Sequence, residues 1–174
     1  KGLKIAWSPN LGSIPIDQEV EGVTETAVEV FREMGAFVDC AEFRVDIDAI
    51  SQTLGKLVGP IAYMNYGHLL EDQGDMLMPY VRDGIASGGA ILAHDYALAL
   101  AELEVFRAYV TDFFQDYDLL LTPTLATIPF RCGQRPDIIG GRHVDPMWGF
   151  YAPLFPFNMS GNPSASVPCG FSED

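Results

Sequence analysis

"LKIAWSPNLGSIPIDQEVEGVTETAVEVFREMGAFVDCAEF", residues 3–43, changes its hydrophobic period twice, and that change decides the fold. "LKIAWSP" (3–9) is a short apolar run closed by Pro9, the pattern of a buried strand. Asp17 then stands as an N-cap, with Glu19 in the first turn, where the helix dipole favours an anion. Val20, Val23, Ala27, Val30, Phe31 and Met34 recur at helical spacing, and Gly35 supplies the stop. "AFVDCAEF" (36–43) is a second strand, so the stretch is a βαβ unit, whose hand is expected to be right.

Outward from that unit, residues 46–83 carry helical signals interrupted by Gly55, Gly59–Pro60, Gly67 and Gly74, which predicts two or three short helices. Gly88–Gly89 reads as a loop. A long amphipathic helix follows over about 90–115, with Leu92, Tyr96, Ala99, Leu103, Phe106, Val110 and Phe113 as its buried stripe. "YDLLLTPT" (117–124) is a buried strand ended by Pro123, and the aperiodic residues 126–145 read as a loop. Residues 147–160 predict a short helix entered through prolines, and "GNP" (161–163) a turn. "SASVPCGF" (164–171) alternates Ala165, Val167 and Cys169 with Ser164 and Ser166, as a strand would. This order of elements predicts an α/β fold, a mostly parallel or mixed sheet flanked by helices.

The chain of 174 residues fits one domain of ordinary size. Its 24 acidic residues against ten basic ones give a net charge of −14, and the basic residues are scattered. That balance argues against a nucleic-acid partner, because binding phosphates needs clustered cations. Residues 146–172 contain no Asp, Glu, Lys, Arg or His, but their prolines break any membrane-spanning helix, so no membrane partner is expected. Cys40, Cys132 and Cys169 are odd in number, far apart and without CxxC spacing, which points to reduced thiols in the cytoplasm. No signal peptide is legible at the first residues, and the opening on Lys1 points to an excised or processed piece.

No complete catalytic set is legible. Ser164 and Ser166 have no His, Lys or Gly-rich turn beside them, and serines filling a strand are the plainer reading. Thr122 and Thr124 flank Pro123 at the C-terminal end of a strand, where ligands of α/β sheets bind. His68 and Asp72 share a helix face with Asp75 one turn on, but without a second His they read as a helix-stabilising pair, so no metal is expected. Cys169 reads as a small buried hydrophobe. A lysine acting as a base must be neutral, and neither Lys4 nor Lys56 has a serine adjacent to it in sequence. No phosphate loop appears, and no cofactor is expected.

Three segments together resemble one family. They are residues 1–40; "FFQDYDLLLTPTLATIPF" (113–130); and "PFNMSGNPSASVPCGF" (156–171), the most specific of the three. They are similar to the later part of the amidase signature family, amidohydrolases with a Ser–Ser–Lys triad. The resemblance covers most of the chain, residues 44–112 being its least distinctive part. It implies that the triad lysine and both serines lie upstream of Lys1, so no catalytic residue is carried over. It also implies a single α/β segment, residues 1–174, of a larger amidase truncated at both ends. Met147, Trp148, Phe150, Tyr151 and Phe155 would then form an aromatic-lined wall beside a substrate channel, with Thr124 also lining the pocket. Such a wall suits an apolar or aryl amide, a small-molecule partner; core packing is the competing reading for each residue. The glutamine-using, tRNA-linked branch tends to carry an acidic residue near the position of Tyr151, and its absence here points away from that branch. Surface meant to face missing parts of the fold implies self-association. A freestanding, non-catalytic α/β binding or scaffold domain is the alternative reading. A flavodoxin-like nucleotide binder is a third, resting on βα alternation alone.

Overall fold

In the computed structural model, which describes residues 2–172, β1 (Lys4–Trp7) runs through the middle of a three-stranded parallel sheet. β2 (Phe37–Cys40) lies on one side and β3 (Leu119–Leu121) on the other, so Ala6 stands opposite Asp39 and Leu120, and Trp7 opposite Cys40 and Leu121. Ile5, Ala6 and Trp7 are buried, as a central parallel strand covered on both faces requires. Burying a side chain of the size of Ile5 stabilises the fold by roughly 1.5–3 kcal/mol.

Between β1 and β2 the chain forms α1 (Gln18–Glu33). The Asp17 carboxylate accepts from the Glu19 backbone N–H at 2.9 Å, and Glu19 and Glu21 occupy the first turn. The helix ends in a Schellman motif: Ala36 N–H donates to Phe31 C=O at 3.0 Å, Gly35 N–H to Arg32 C=O at 2.9 Å, and Gly35 takes φ +89°. The predicted stripe is shifted. Val28 is the buried residue of α1, while Val30 and Met34 are exposed.

The described residues separate into two compact units. The first comprises residues up to Ile47 together with those from Ala108, and so contains the sheet and α1. Phe43 anchors its core, 4.8 Å edge-on to Phe113 and 5.2 Å from Tyr109 between ring centroids, and the Tyr109 hydroxyl accepts from Arg44 N–H at 3.1 Å.

The second unit, Asp48–Arg107, is helical. α2 (Ile47–Tyr66) continues unbroken through Gly55, Gly59 and Pro60, where interruptions were predicted. α3 (Leu69–Asp72), a 3-10 turn (Gly74–Met76) and α4 (Pro79–Gly89) follow, so the breaks fall near Gly67 and Gly74. Gly88 and Gly89, predicted as loop, close α4. The reason is packing: a Cβ on Gly88 would lie 2.1 Å from the carbonyl oxygen of Gly59, so the two helix backbones touch there. Thr53 on α2 donates to Glu102 on α5 (Ala93–Phe113) at 2.6 Å. On α5, Ala99, Leu103 and Val110 are buried as predicted, whereas Leu92 precedes the helix and is 67% exposed.

Two further differences from the sequence reading lie nearer the C-terminus. The predicted loop 126–145 contains a small antiparallel hairpin, β4 (Ile138–Ile139) and β5 (Arg142–His143). Its two linking residues, Gly140 and Gly141, have φ +53° and +72°, as a type I′ turn demands. The residues predicted as a strand at 164–171 form none and are exposed, with Phe171 at 97%. Their alternation of small apolar residues and serines meets no neighbouring strand among the described residues. The short helix expected at 147–160 is present as a 3-10 turn (Gly149–Leu154) leading into α6 (Phe155–Ser160).

Candidate functional site

The C-terminal ends of β1 and β3 are where a ligand would be sought, because β1 and β3 flank the point at which strand order reverses. The chain after each strand is tied to the other. Ser8 N–H donates to Leu121 C=O at 3.0 Å, and Asp17 N–H to Ala126 C=O at 2.7 Å. Ala126 N–H in turn donates to Phe150 C=O at 2.8 Å, joining the loop that carries Thr124 to the aromatic 3-10 turn.

From Phe150 a ladder of edge-to-face rings spreads. Phe130 lies 5.1 Å from Phe150, Phe150 lies 4.6 Å from Tyr151, and Tyr151 lies 5.5 Å from both Trp148 and Phe155. Ring pairs in this arrangement add roughly 0.5–1.5 kcal/mol each beyond area burial. The ladder branches at Tyr151, to buried Phe155, to Trp148, which is 45% exposed, and through Phe150 to Phe130, which is 39% exposed. It therefore has one core end and two open ends. Of the residues singled out from sequence, Trp148, Phe150, Tyr151 and Phe155 are thus in one cluster. Met147 sits at its margin, its Sδ accepting from the Arg135 guanidinium. Thr124 is exposed, its hydroxyl 3.0 Å from that of Ser166.

Phe130, Arg135 and Asp145 are additions that the sequence did not suggest. Phe130 and Arg135 lie in a stretch whose lack of periodicity gives no signal. Asp145 could have been found, since an Asp shortly before a turn is a local capping residue. Its carboxylate Oδ1 accepts from Met147 N–H at 2.7 Å and from Trp148 N–H at 3.0 Å.

A separate open depression of about 180 Å³ lies against α1, lined by Trp7, Pro9, Glu21, Glu25, Val28, Arg32 and Cys40. It includes none of the sequence-predicted site residues. Among the described residues no group of three or more His, Cys, Asp or Glu is gathered as a metal site, and no helix is long and apolar enough to cross a membrane.

With this sheet and these motifs, the match to known proteins is direct. Residues 1–174 match the Amidase family over their whole length, and the chain belongs to that family, whose members are the amidase signature enzymes. It is 32% identical over 180 residues to an acylamidase of Rhodococcus erythropolis, a match spanning 100% of this chain and 37% of that protein. It is 30% identical over 199 residues to one of the subunits of the glutamyl-tRNA(Gln) amidotransferase of Moorella thermoacetica, spanning 99% of this chain and 39% of that one. Among solved structures, a bacterial aryl acylamidase of the amidase signature enzymes superposes with a TM-score of 0.86 at 25% identity, over 99% of this chain and 38% of its own. The chain spans well under half the length of these relatives.

Proposed function

We propose that the protein carrying this chain hydrolyses a carboxamide to a carboxylate and ammonia or an amine. In this reading, these residues supply part of its sheet and one wall of its substrate pocket. The observation that carries the reading is the ring ladder Phe130–Phe150–Tyr151–Trp148, tied through Ala126 to the end of β3. An open-ended aromatic wall suits an apolar or aryl amide, with Phe155 and Met147 supporting it and the Thr124 hydroxyl as a polar contact. Its similarity to an acylamidase and to an aryl acylamidase supports the same substrate class. Tyr151, aromatic where the tRNA-linked branch tends to be acidic, supports an acylamidase-like substrate over glutamine.

The chemistry follows from the family resemblance. A neutral lysine, acting through a bridging serine, takes the proton of the nucleophilic serine as its oxygen adds to the carbonyl carbon. Backbone amides hold the oxyanion, the C–N bond breaks, and the amine leaves with a proton. Water then releases the acyl group as carboxylate. The motifs matched here include no counterpart of that lysine or of either serine, so other parts of the protein would supply them. The three free thiols, Cys40, Cys132 and Cys169, suit a reduced cytoplasmic setting.

The test is hydrolysis of an anilide and of a short aliphatic amide by the full-length protein. Trp148→Ala is expected to raise KM for the anilide by about three- to tenfold, the worth of one aromatic contact, and to leave the aliphatic amide unchanged. Absence of amide hydrolysis by the intact protein would favour the non-catalytic binding domain. The 174-residue chain alone is expected to hydrolyse no amide. Turnover by the pure chain, abolished by Lys4→Ala or Ser166→Ala, would overturn that assignment.

A further inference from the structure

The aromatic turn has no side-chain cap of its own: at Trp148, the residue preceding Gly149–Leu154, no side-chain hydrogen bond closes it. Asp145 performs that task from three residues upstream. One carboxylate oxygen, Oδ1, accepts from both Met147 N–H and Trp148 N–H, and the Asp145 carbonyl accepts from Gly149 N–H at 2.7 Å. Three consecutive N–H groups thus converge on one residue. The adjoining backbone is fixed from the other side, because Val144 N–H donates to Asp137 C=O at 2.9 Å at the base of the hairpin. The turn is also tight, since a Cβ on Gly149 would come within 2.6 Å of Val144 Cβ. The direction in which Trp148 leaves the backbone is therefore set by Asp145, while its ring, at an open end of the ladder, stands edge-to-face to Tyr151.

We infer that Asp145 is a positioning residue for substrate selection: by gathering the Met147 and Trp148 amides, it holds the Trp148 ring at an open end of the wall and so sets the preference for aryl over alkyl amides. It touches no substrate itself. The role needs an acceptor oxygen and not a charge, so Asn serves where Ala does not. The kinetic part of this inference rests on the amide-hydrolase reading, whereas the placement of Trp148 does not.

The experiment keeps the two apart. The full-length protein is labelled with 5-fluorotryptophan, and the Trp148 resonance is assigned by its loss in Trp148→Phe. In Asp145→Ala that resonance is expected to move to the position of a solvent-exposed, freely rotating indole, and in Asp145→Asn to stay. In parallel, Asp145→Ala is expected to raise KM for an anilide by about tenfold, the loss of roughly one to two hydrogen bonds' worth of order. The kcat for a short aliphatic amide is expected to stay unchanged and Asp145→Asn to restore the anilide KM. An unmoved Trp148 resonance in Asp145→Ala overturns the inference whatever the activity. A moved resonance with anilide and aliphatic kinetics lowered equally overturns it too, because the residue would then be merely structural. If the wild type hydrolyses no amide, the functional reading fails and the selection role falls with it, while the resonance alone decides whether Asp145 places Trp148.

Discussion

Gly59 and Gly88 meet backbone to backbone, so closely that a methyl group on Gly88 would sit 2.1 Å from the Gly59 carbonyl oxygen and 2.5 Å from its carbonyl carbon. Backbone cannot rotate away as a side chain can. Gly88→Ala is therefore expected to destabilise the helical unit by at least about 2 kcal/mol through overpacking. Gly84 lies in the same helix with open space around its missing Cβ. Gly84→Ala is expected to stabilise by about 0.5–1 kcal/mol through lower chain entropy. Thermal denaturation of the two variants should shift in opposite directions.

Removing the cap of α1 has a smaller and local effect. Asp17→Ala leaves the Glu19 amide without its 2.9 Å acceptor, at a cost of about 1 kcal/mol, and Asp17→Ser recovers most of that. Urea midpoints for the three proteins should fall in the order wild type, Ser, Ala.

The hairpin turn separates two adjacent glycines. A Cβ on Gly140 would lie 2.5 Å from the Ile16 carbonyl oxygen, while Gly141 has open space. Both have positive φ, so Gly140→Ala adds a clash to strain and is expected to cost roughly 1–3 kcal/mol. Gly141→Asn, a residue that tolerates this conformation, is expected to change stability little. Amide hydrogen exchange at Ile139 and Ile16 should quicken only in Gly140→Ala.

Leu92, Val105, Met64 and Phe171 are large apolar side chains open to solvent. Apolar surface of this kind drives association, and the 174-residue chain is expected to elute from size exclusion above its 19.1 kDa mass. A compact monomer at all concentrations would contradict this.

Where the sequence reading succeeds, the signals are local. Asp17 and Gly35 act through bonds made within a few residues and Pro9 through its own ring, and they mark the βαβ unit correctly. Ile5–Ala6–Trp7 carries enough apolar character to be placed in the sheet. The failures come where a residue's meaning depends on a distant partner. Gly55, Gly59 and Pro60 read as breakers, yet the helix continues through all three, and Gly59 is there the contact point for Gly88. The alternation in 164–171 reads as a strand but has no strand beside it among the described residues. "IIGGRH" (138–143) carries a legible hairpin signal, Gly–Gly between β-branched and long side chains, submerged in an aperiodic stretch. In the candidate wall, the ring-bearing residues are legible as a cluster of types. Asp145 is legible only as an Asp shortly before a turn; which amides point at its one oxygen is not.

The pairing of the central strand with β3 also sets a timetable. Lys4 N–H donates to the Asp118 carboxylate across 114 residues of chain, beside the β1–β3 ladder. At ribosomal speeds of about 5–20 residues per second, β1 would wait roughly 6–23 seconds for that neighbour to be made. Throughout that interval Ile5, Ala6 and Trp7 would be without one of their two flanking strands. Nascent chains stalled before Leu119 are thus the species on which a holdase chaperone should be found bound.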